Sequence, residues 1–365
     1  MRRDAIPIER LTVEAYKIPS DAPETDGTYE WDATTLVIVN LGAAGEHGIG
    51  YSYADTSTAT LIQDHLSKVV IGREAMSVRA VWDAMVHSIR NLGRPGISSM
   101  AISAIDTAVW DLKARLLNVP LVRLFGQVRD RIPIYGSGGF TSYSIDRLCS
   151  QLAGWTKQGI RMVKMKIGRD ANADVDRVRA ARAAIGQDAE LFVDANGAYS
   201  RKQALSQAEK FAEFNVSWFE EPVSSDDLEG LHFIRERAPF AMEIAAGEYG
   251  YGLNYFKRML ASNAVDVLQA DATRCAGFTG FEQVATLCEA HHLPLSTHCA
   301  PMLHLHLACA TPALRHAEYF HDHVRIERTF FDGVPEPDDG ALKPDLSRAG
   351  MGLELKRNDI EKFRL

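Results

Sequence analysis

Cysteine is scarce in this chain and shows no pairing. The five thiols, Cys149, Cys275, Cys288, Cys299 and Cys309, are odd in number and scattered, with no Cys-x-x-Cys among them. That excludes a disulfide framework and a thiolate zinc site, and the thiols read as buried and free. Long apolar runs are missing too. The longest, such as residues 36–39, are strand-sized and far short of a bilayer span. No dense block of Lys and Arg occurs and the formal net charge is −8, which argues against nucleic acid or membrane as the main partner. A small anionic substrate is compatible with that charge, because nearby groups set the field of a site more than the net charge does. Behind Arg2 and Arg3 stands no apolar core of signal-peptide length, so a cytoplasmic location is expected.

What the chain does contain is a pattern. Its 365 residues, 46% apolar and 24% charged, suffice for one large barrel and a smaller domain. From about residue 131, short apolar runs alternate with amphipathic helical stretches, the mark of successive β-α units. The runs are 132–135, 162–167, 191–194, 218–221, 244–246, 267–270, 295–297 and 317–320. Helical stretches fall between them, for example 144–157, 174–184, 202–213 and 281–290. Eight strands with seven helices fit a closed (β/α)-barrel, placed over residues 126–324. Residues 1–125 read instead as an α+β domain: strands at 8–16, 35–40 and 48–53, then helices at 58–70, 78–89 and 97–116. A tail rich in Asp, Gly and Pro follows the last strand.

Active sites of such barrels are built at the C-terminal ends of the strands. The second strand ends in Lys164-Met165-Lys166, and alternation points both ammonium groups into the mouth. Mutual repulsion is expected to depress the pKa of at least one, making a usable base. A solvated pair of lysines is the plainer alternative. The next three strands end in acids: Asp194 in Asp194-Ala195-Asn196-Gly197, Glu220 or Glu221 before Pro222, and Glu248 after Gly247. Each alone reads as a helix cap. Together at one mouth they would repel unless a hard divalent cation neutralised them, and all-oxygen ligands suit Mg²⁺. The sixth and seventh strands bring Asp271 beside His298, a pairing that fixes the tautomer and raises the basicity of the imidazole. Glu318 on the eighth strand can donate or accept a hydrogen bond at a substrate carboxylate.

In these motifs, together with Trp218-Phe219-Glu220-Glu221-Pro222 and Gly277-Phe278-Thr279-Gly280, the chain resembles the enolase superfamily, mandelate racemase subgroup, over nearly its whole length. The resemblance implies a (β/α)7β modified TIM barrel with an α+β N-terminal capping domain, completed by a C-terminal segment, 325–365, that returns to it. It implies Mg²⁺ held by Asp194, Glu220 and Glu248, with the motif favouring Glu220 over Glu221. It makes Lys166 one general base and His298 with Asp271 the other, on the opposite face of the substrate, while Lys164 and Glu318 stabilise the carboxylate as it becomes an enediolate. A proton alpha to a carboxylate is very weakly acidic, so concentrated positive charge at the developing dianion is required. A symmetric homo-oligomer is also implied.

The resemblance further implies abstraction of the proton alpha to the carboxylate of a small molecule, with dehydration of an acid sugar to a 2-keto-3-deoxy acid favoured. Racemisation or epimerisation of a 2-hydroxy acid uses the same apparatus, and a binding protein without catalysis would not need bases on two faces. A muconate-cycloisomerase-like site would have a second lysine on the sixth strand, and an amidohydrolase-type zinc site a His-x-His near the first; neither pattern is present. Asn196, Trp31, Tyr51 and Tyr53, with His321 and His323 past the eighth strand, are candidate substrate contacts. His304 and His306 lie on a helical stretch, where residues two apart point in different directions, and read as structural.

Overall fold

The computed structural model describes residues 5–365; Arg2 and Arg3 lie outside them. Three strands, β1 (Arg10–Thr25), β2 (Glu30–Ala43) and β3 (Glu46–Tyr53), form an antiparallel sheet in that order. Their alternation serves two cores. Leu11, Val37, Val39 and Leu41 pack with the helices that follow, whereas Tyr16, Ile18, Leu36, Ile38 and Tyr51 face the barrel and tail. Those helices are α1 (Thr56–Leu61), a π-helical segment (Ile62–Leu66), α2 (Ser67–Val70), α3 (Val78–Ser88), α4 (Ile97–Leu116) and α5 (Leu121–Phe125).

β1 runs well past the expected 8–16. Its register shifts between Pro19 and Glu24, where proline has no N–H to donate and the acidic run does not alternate. The extension is held from the barrel side. The Thr141 N–H donates to the Thr25 carbonyl (2.8 Å), its hydroxyl to that of Asp26 (2.9 Å), and Ser142 Oγ to that of Pro23 (2.8 Å).

The barrel follows as β4 (Ile132–Gly138), α6 (Ile145–Lys157), β5 (Met162–Lys166), α7 (Ala171–Ile185), β6 (Glu190–Asp194), α8 (Arg201–Ala212), β7 (Val216–Glu220), α9 (Leu228–Arg235), β8 (Glu243–Ala246), α10 (Leu253–Ala261), β9 (Val267–Ala270), α11 (Gly277–Ala290), β10 (Leu295–Thr297), α12 (Pro301–Ala308) and β11 (Leu314–Phe320). All eight strands are parallel, and β11 pairs with β4 to close the ring. Tyr135, Phe192, Trp218, Ala245 and Val267 fill the interior beneath the mouth.

After α13 (His321–Phe330) come β12 (Phe331–Asp332), β13 (Ala341–Leu342), β14 (Glu354–Leu355) and α14 (Arg357–Ile360). The boundary placed at 324/325 falls inside α13, so the chain leaves the barrel layer at Phe330. β13 pairs antiparallel with the start of β4. The tail then returns to the first domain. The Met351 N–H donates to Asp111 on α4 (2.6 Å), Arg115 Nη2 to the Leu353 carbonyl (2.7 Å), and the Leu365 N–H to Ala15 on β1 (3.0 Å). Among the described residues no helix is long and apolar enough to cross a membrane.

Candidate active site

Strand alternation sends Met165 to the outer core and Lys164 and Lys166 into the mouth, both buried. At the end of β6, Asn196 (φ 45°) and Gly197 (φ 76°) reverse the chain, and the Asn196 N–H donates to Asp194 Oδ1 (2.9 Å). β7 delivers Glu220, whose Oε2 accepts from Trp218 Nε1 (3.0 Å). Beyond β8 the chain needs glycine: a Cβ on Gly247 (φ 138°) would stand 2.1 Å from the Gln269 carbonyl oxygen, so only glycine presents Glu248 here. At the end of β10, Cys299 and Ala300 both have φ in the left-handed region, 50° and 41°, a strained pair of the kind that clusters at functional sites. Pro301 then opens α12, where its missing N–H costs nothing.

These ends bring Asp194, Glu220 and Glu248 together, all buried, with one oxygen of each within 4.8 Å of the others. Glu221, the alternative ligand, is not in the group: its φ of 37° turns it aside, and burial, then Glu248, holds its carboxyl well above the usual range. Five buried carboxylates, the three named with Asp271 and Glu318, face three cationic side chains, Lys164, Lys166 and Arg274. The excess is two negative charges, which one divalent cation neutralises. Burial and then Asp194 push the Glu220 carboxyl up to about 8, the mark of a cluster with more acids than cationic partners. Glu248 Oε2 is buried with no hydrogen-bond partner. An all-oxygen set with an unsatisfied buried acceptor fits Mg²⁺.

The lysine expectation is corrected. Lys164 Nζ lies 2.6 Å from Glu220 Oε1 and 2.8 Å from Glu318 Oε1, and Lys166 Nζ 2.5 Å from Asp194 Oδ2. Burial works to lower both pKa values, but Glu220 and Glu318 raise Lys164 and Asp194 raises Lys166, so repulsion between the two does not set their charge. Glu318 is held low: burial opposes this, and Lys164 outweighs it. It therefore accepts rather than donates, taking the Cys299 N–H at 2.7 Å.

His298 Nδ1 donates to Asp271 Oδ2 at 2.8 Å, and Nε2 lies 3.4 Å from Glu248 Oε2 and 3.3 Å from Cys299 Sγ. Burial lowers the imidazole pKa, yet Glu248 and the Asp271 hydrogen bond carry it above the ordinary value. Lys166 thus stands beside one acid of the trio and His298 beside another, so two proton-accepting groups reach the same cluster from different strand ends. His304 Nε2 accepts the Ala272 N–H (2.9 Å) and His306 bridges Val122 N–H and the Met351 carbonyl (both 3.1 Å), so both are structural.

A cavity of about 440 Å³ lies over this cluster. Of the candidate substrate contacts, Asn196, Trp31, Tyr53 and His323 line it, together with Lys166, Glu248, Asp271, His298 and Glu318 of the cluster. Two are corrected. Tyr51 is wholly buried, donates to Glu327 Oε1 (2.6 Å) and stacks on Phe331, because the returning tail and α13 cover this part of β3. His321 pairs with Asp21 at 3.1 Å outside the cavity. Arg274 was missed by the sequence reading. Its Nη1 donates to the Glu248 carbonyl (3.1 Å), and its Nε is 3.8 Å from Asp271 Oδ2. Its place three residues past Asp271 was the available signal. Cys299, read as a buried thiol, also lines the cavity.

Comparison with known proteins identifies the family. The family described as "Mandelate racemase / muconate lactonizing enzyme, N-terminal domain" matches residues 13–126, and "Enolase C-terminal domain-like" matches 147–360. A mandelate racemase/muconate lactonizing enzyme-like protein from Rubrobacter xylanophilus superposes with a TM-score of 0.97 at 50% identity, over 98% of this chain and 100% of that one. The 3,6-anhydro-alpha-L-galactonate cycloisomerase of Streptomyces coelicolor is 31% identical over 96% of this chain and 98% of its own. L-Talarate dehydratase from Polaromonas, in complex with Mg and L-glucarate, superposes with a TM-score of 0.88 at 29% identity, over 100% and 98%. The relatives are acid-sugar dehydratases and cycloisomerases.

Proposed function

This chain belongs to the mandelate racemase subgroup of the enolase superfamily, and we propose that it is a Mg²⁺-dependent acid-sugar dehydratase that forms a 2-keto-3-deoxy acid. The observation that carries the reading is the acid trio flanked by two bases, Lys166 against Asp194 and the Asp271–His298 pair against Glu248. Asp194, Glu220 and Glu248 would hold the metal. Mg²⁺ held there would supply Lewis acidity to the substrate carboxylate and would compete for the carboxylates that otherwise hold Lys166 charged. Lys164, fixed between Glu220 and Glu318, directs its ammonium at the same carboxylate and stabilises the enediolate. Lys166 or His298 removes the alpha proton, according to the face on which the substrate presents it. His298, oriented by Asp271, then gives a proton to the departing 3-hydroxyl through Nε2. Arg274 positions Glu248 and Asp271 relative to one another.

Cycloisomerisation is the second reading, favoured by the 31% identical relative of that name; racemisation is the third. All three begin with the same proton abstraction and part at the product. Incubation with Mg²⁺ and a library of acid sugars is expected to release 2-keto acids, to stop in excess chelator and to resume when Mg²⁺ is returned. Undiminished turnover in chelator rules the mechanism out. Keto acid formed only from cyclic anhydro or lactone acids, as an isomer of the substrate with no loss of water, replaces dehydration by cycloisomerisation, and epimerised products without keto acid replace it by racemisation.

A further inference from the structure

The cavity is lined by two kinds of surface. Its floor carries the lysine and the arginine that line it, Lys166 and Arg274, each already within reach of carboxylates of the acid cluster. Its outer wall, supplied by the β1–β2 turn and the segment after β3, carries Asp26 and Asp55 with Trp31, Tyr53, Thr35 and Ala54. Between residues 20 and 33 the chain has five acids and no Lys, Arg or His. The nearby arginines do not line the cavity and are taken: Arg147 pairs with Asp21, Arg169 with Glu30 and Arg325 with Asp322. The remaining basic group of the wall, His323, accepts the Ala300 N–H on Nδ1 (3.2 Å) and stacks on Tyr53. Burial pushes its pKa down to about 3, so it is neutral.

Among the described residues, then, no cation faces the outer half of the cavity. What it offers instead is unsatisfied hydrogen bonding: Asn196 Oδ1 and Tyr53 Oη, both buried, have no protein partner. An alcohol hydroxyl can donate to the first and pair with the second. A carboxylate would be repelled by Asp26 and desolvated without a counter-charge, since Asn196 and Tyr53 are neutral.

We infer that the substrate carries a single carboxylate, held at the metal end, and an uncharged polyhydroxylated far end: an aldonate-class monoacid rather than an aldarate diacid. The inference rests on the proposed proton abstraction and narrows its substrate class. It rests on the acidic capping turn and not on the catalytic groups.

The test uses the full-length Mg²⁺-loaded protein and pairs of aldonates and aldarates matched in length and configuration. Keto-acid release and exchange of the alpha proton with deuterated solvent are both read. The matching aldarate is expected to show kcat/KM lower by about 100-fold or more, the discrimination an unpaired buried charge imposes. Asp26→Asn keeps the oxygen that accepts from the Thr28 and Tyr29 N–H groups while removing the charge, and is expected to narrow the gap by raising the aldarate value. Aldarates turned over as well as or better than aldonates overturn the inference and leave the proposed chemistry standing. Absence of exchange with every member of both sets removes the proposed chemistry, and this inference with it.

Discussion

His298 divides its two ring nitrogens between different tasks: Nδ1 is committed to Asp271, and Nε2 faces Glu248 and the cavity. Lys166 approaches the acid trio from Asp194 instead. Replacing one base is therefore expected to spare the chemistry of the other. In His298→Asn, dehydration should fall by a factor on the order of 10² to 10⁴, the usual contribution of a general acid-base group. Solvent-deuterium exchange should persist for substrates that present their proton to Lys166, and should vanish in Lys166→Ala. Normal dehydration by His298→Asn would make the dyad structural. The dyad and the acid trio were legible because each stands at a strand end in order along the chain. The ionisation of the lysines was not, because it depends on how many carboxylates converge around them. Arg274 escaped notice for a related reason: its role is to join two strand ends that are 23 residues apart in sequence, Glu248 and Asp271.

The element that shapes the cavity is the β1–β2 turn. It is docked rather than free: Trp31 Nε1 donates to the buried Glu24 (2.7 Å), Thr28 Oγ1 reaches the Asn196 carbonyl (3.3 Å), and Trp31 packs edge-on against Phe140. Gly27 sets the distance of approach. A Cβ there would meet the Ala195 carbonyl oxygen at 2.3 Å and the Ile167 carbonyl oxygen at 2.8 Å, both backbone atoms of barrel strand ends that cannot swing aside. Gly27→Ala is expected to lift the turn from the mouth at a cost of about 1–3 kcal/mol, as in other overpacked sites. The signature is a KM raised by roughly 10-fold or more with Mg²⁺ affinity, measured by calorimetry, unchanged. Loss of Mg²⁺ affinity would mean that the turn supports the metal ligands and not the substrate. The sequence placed Trp31 near the mouth but ended β1 too early, since beyond Pro19 the strand pairs with β2 only across a register shift and is held by Thr141 and Ser142, far along the chain.

Three parts of the molecule meet at Glu327 on α13. Its Oε1 accepts the Tyr51 hydroxyl from β3 (2.6 Å), and its Oε2 accepts the Met302 N–H at the start of α12 (3.3 Å). Burial pushes this carboxyl up to about 8, with Tyr51 and Met302 opposing. The folded protein therefore keeps a proton that the unfolded chain releases above the ordinary value of 4.5. Stability is lost as pH rises through the window from 4.5 to about 8, because the folded state binds more protons there. Below that window both states are protonated and the group contributes no pH dependence. Glu327→Gln abolishes the ionisation. Relative to wild type, its melting temperature is expected to rise steadily from about pH 5 to about pH 8.5, by several degrees. A constant difference across that range would show that Glu327 is ionised in the fold.

How the chain divides into a barrel and a capping domain was readable without coordinates, since a period of two in the strands and a period near 3.6 in the helices are local properties of the polymer. So was the ordering of acids and bases at the strand ends, because a parallel barrel places every strand end at one mouth. The identity of the surface facing that mouth was not local. Tyr51 and Tyr53 differ by two residues and share a strand face by simple alternation, yet one is sealed against Phe331 and the other opens on the cavity beside His323. His321 and His323 part in the same way, one held by Asp21 outside and the other lining the wall. Packing between segments far apart in sequence decides such choices: the tail against β3, and the acidic turn against the barrel rim. Side-chain charge followed the same division. Which residues are titratable is written in the chain, but the proton each one holds depends on burial and on neighbours that only the folded molecule brings within a few ångströms.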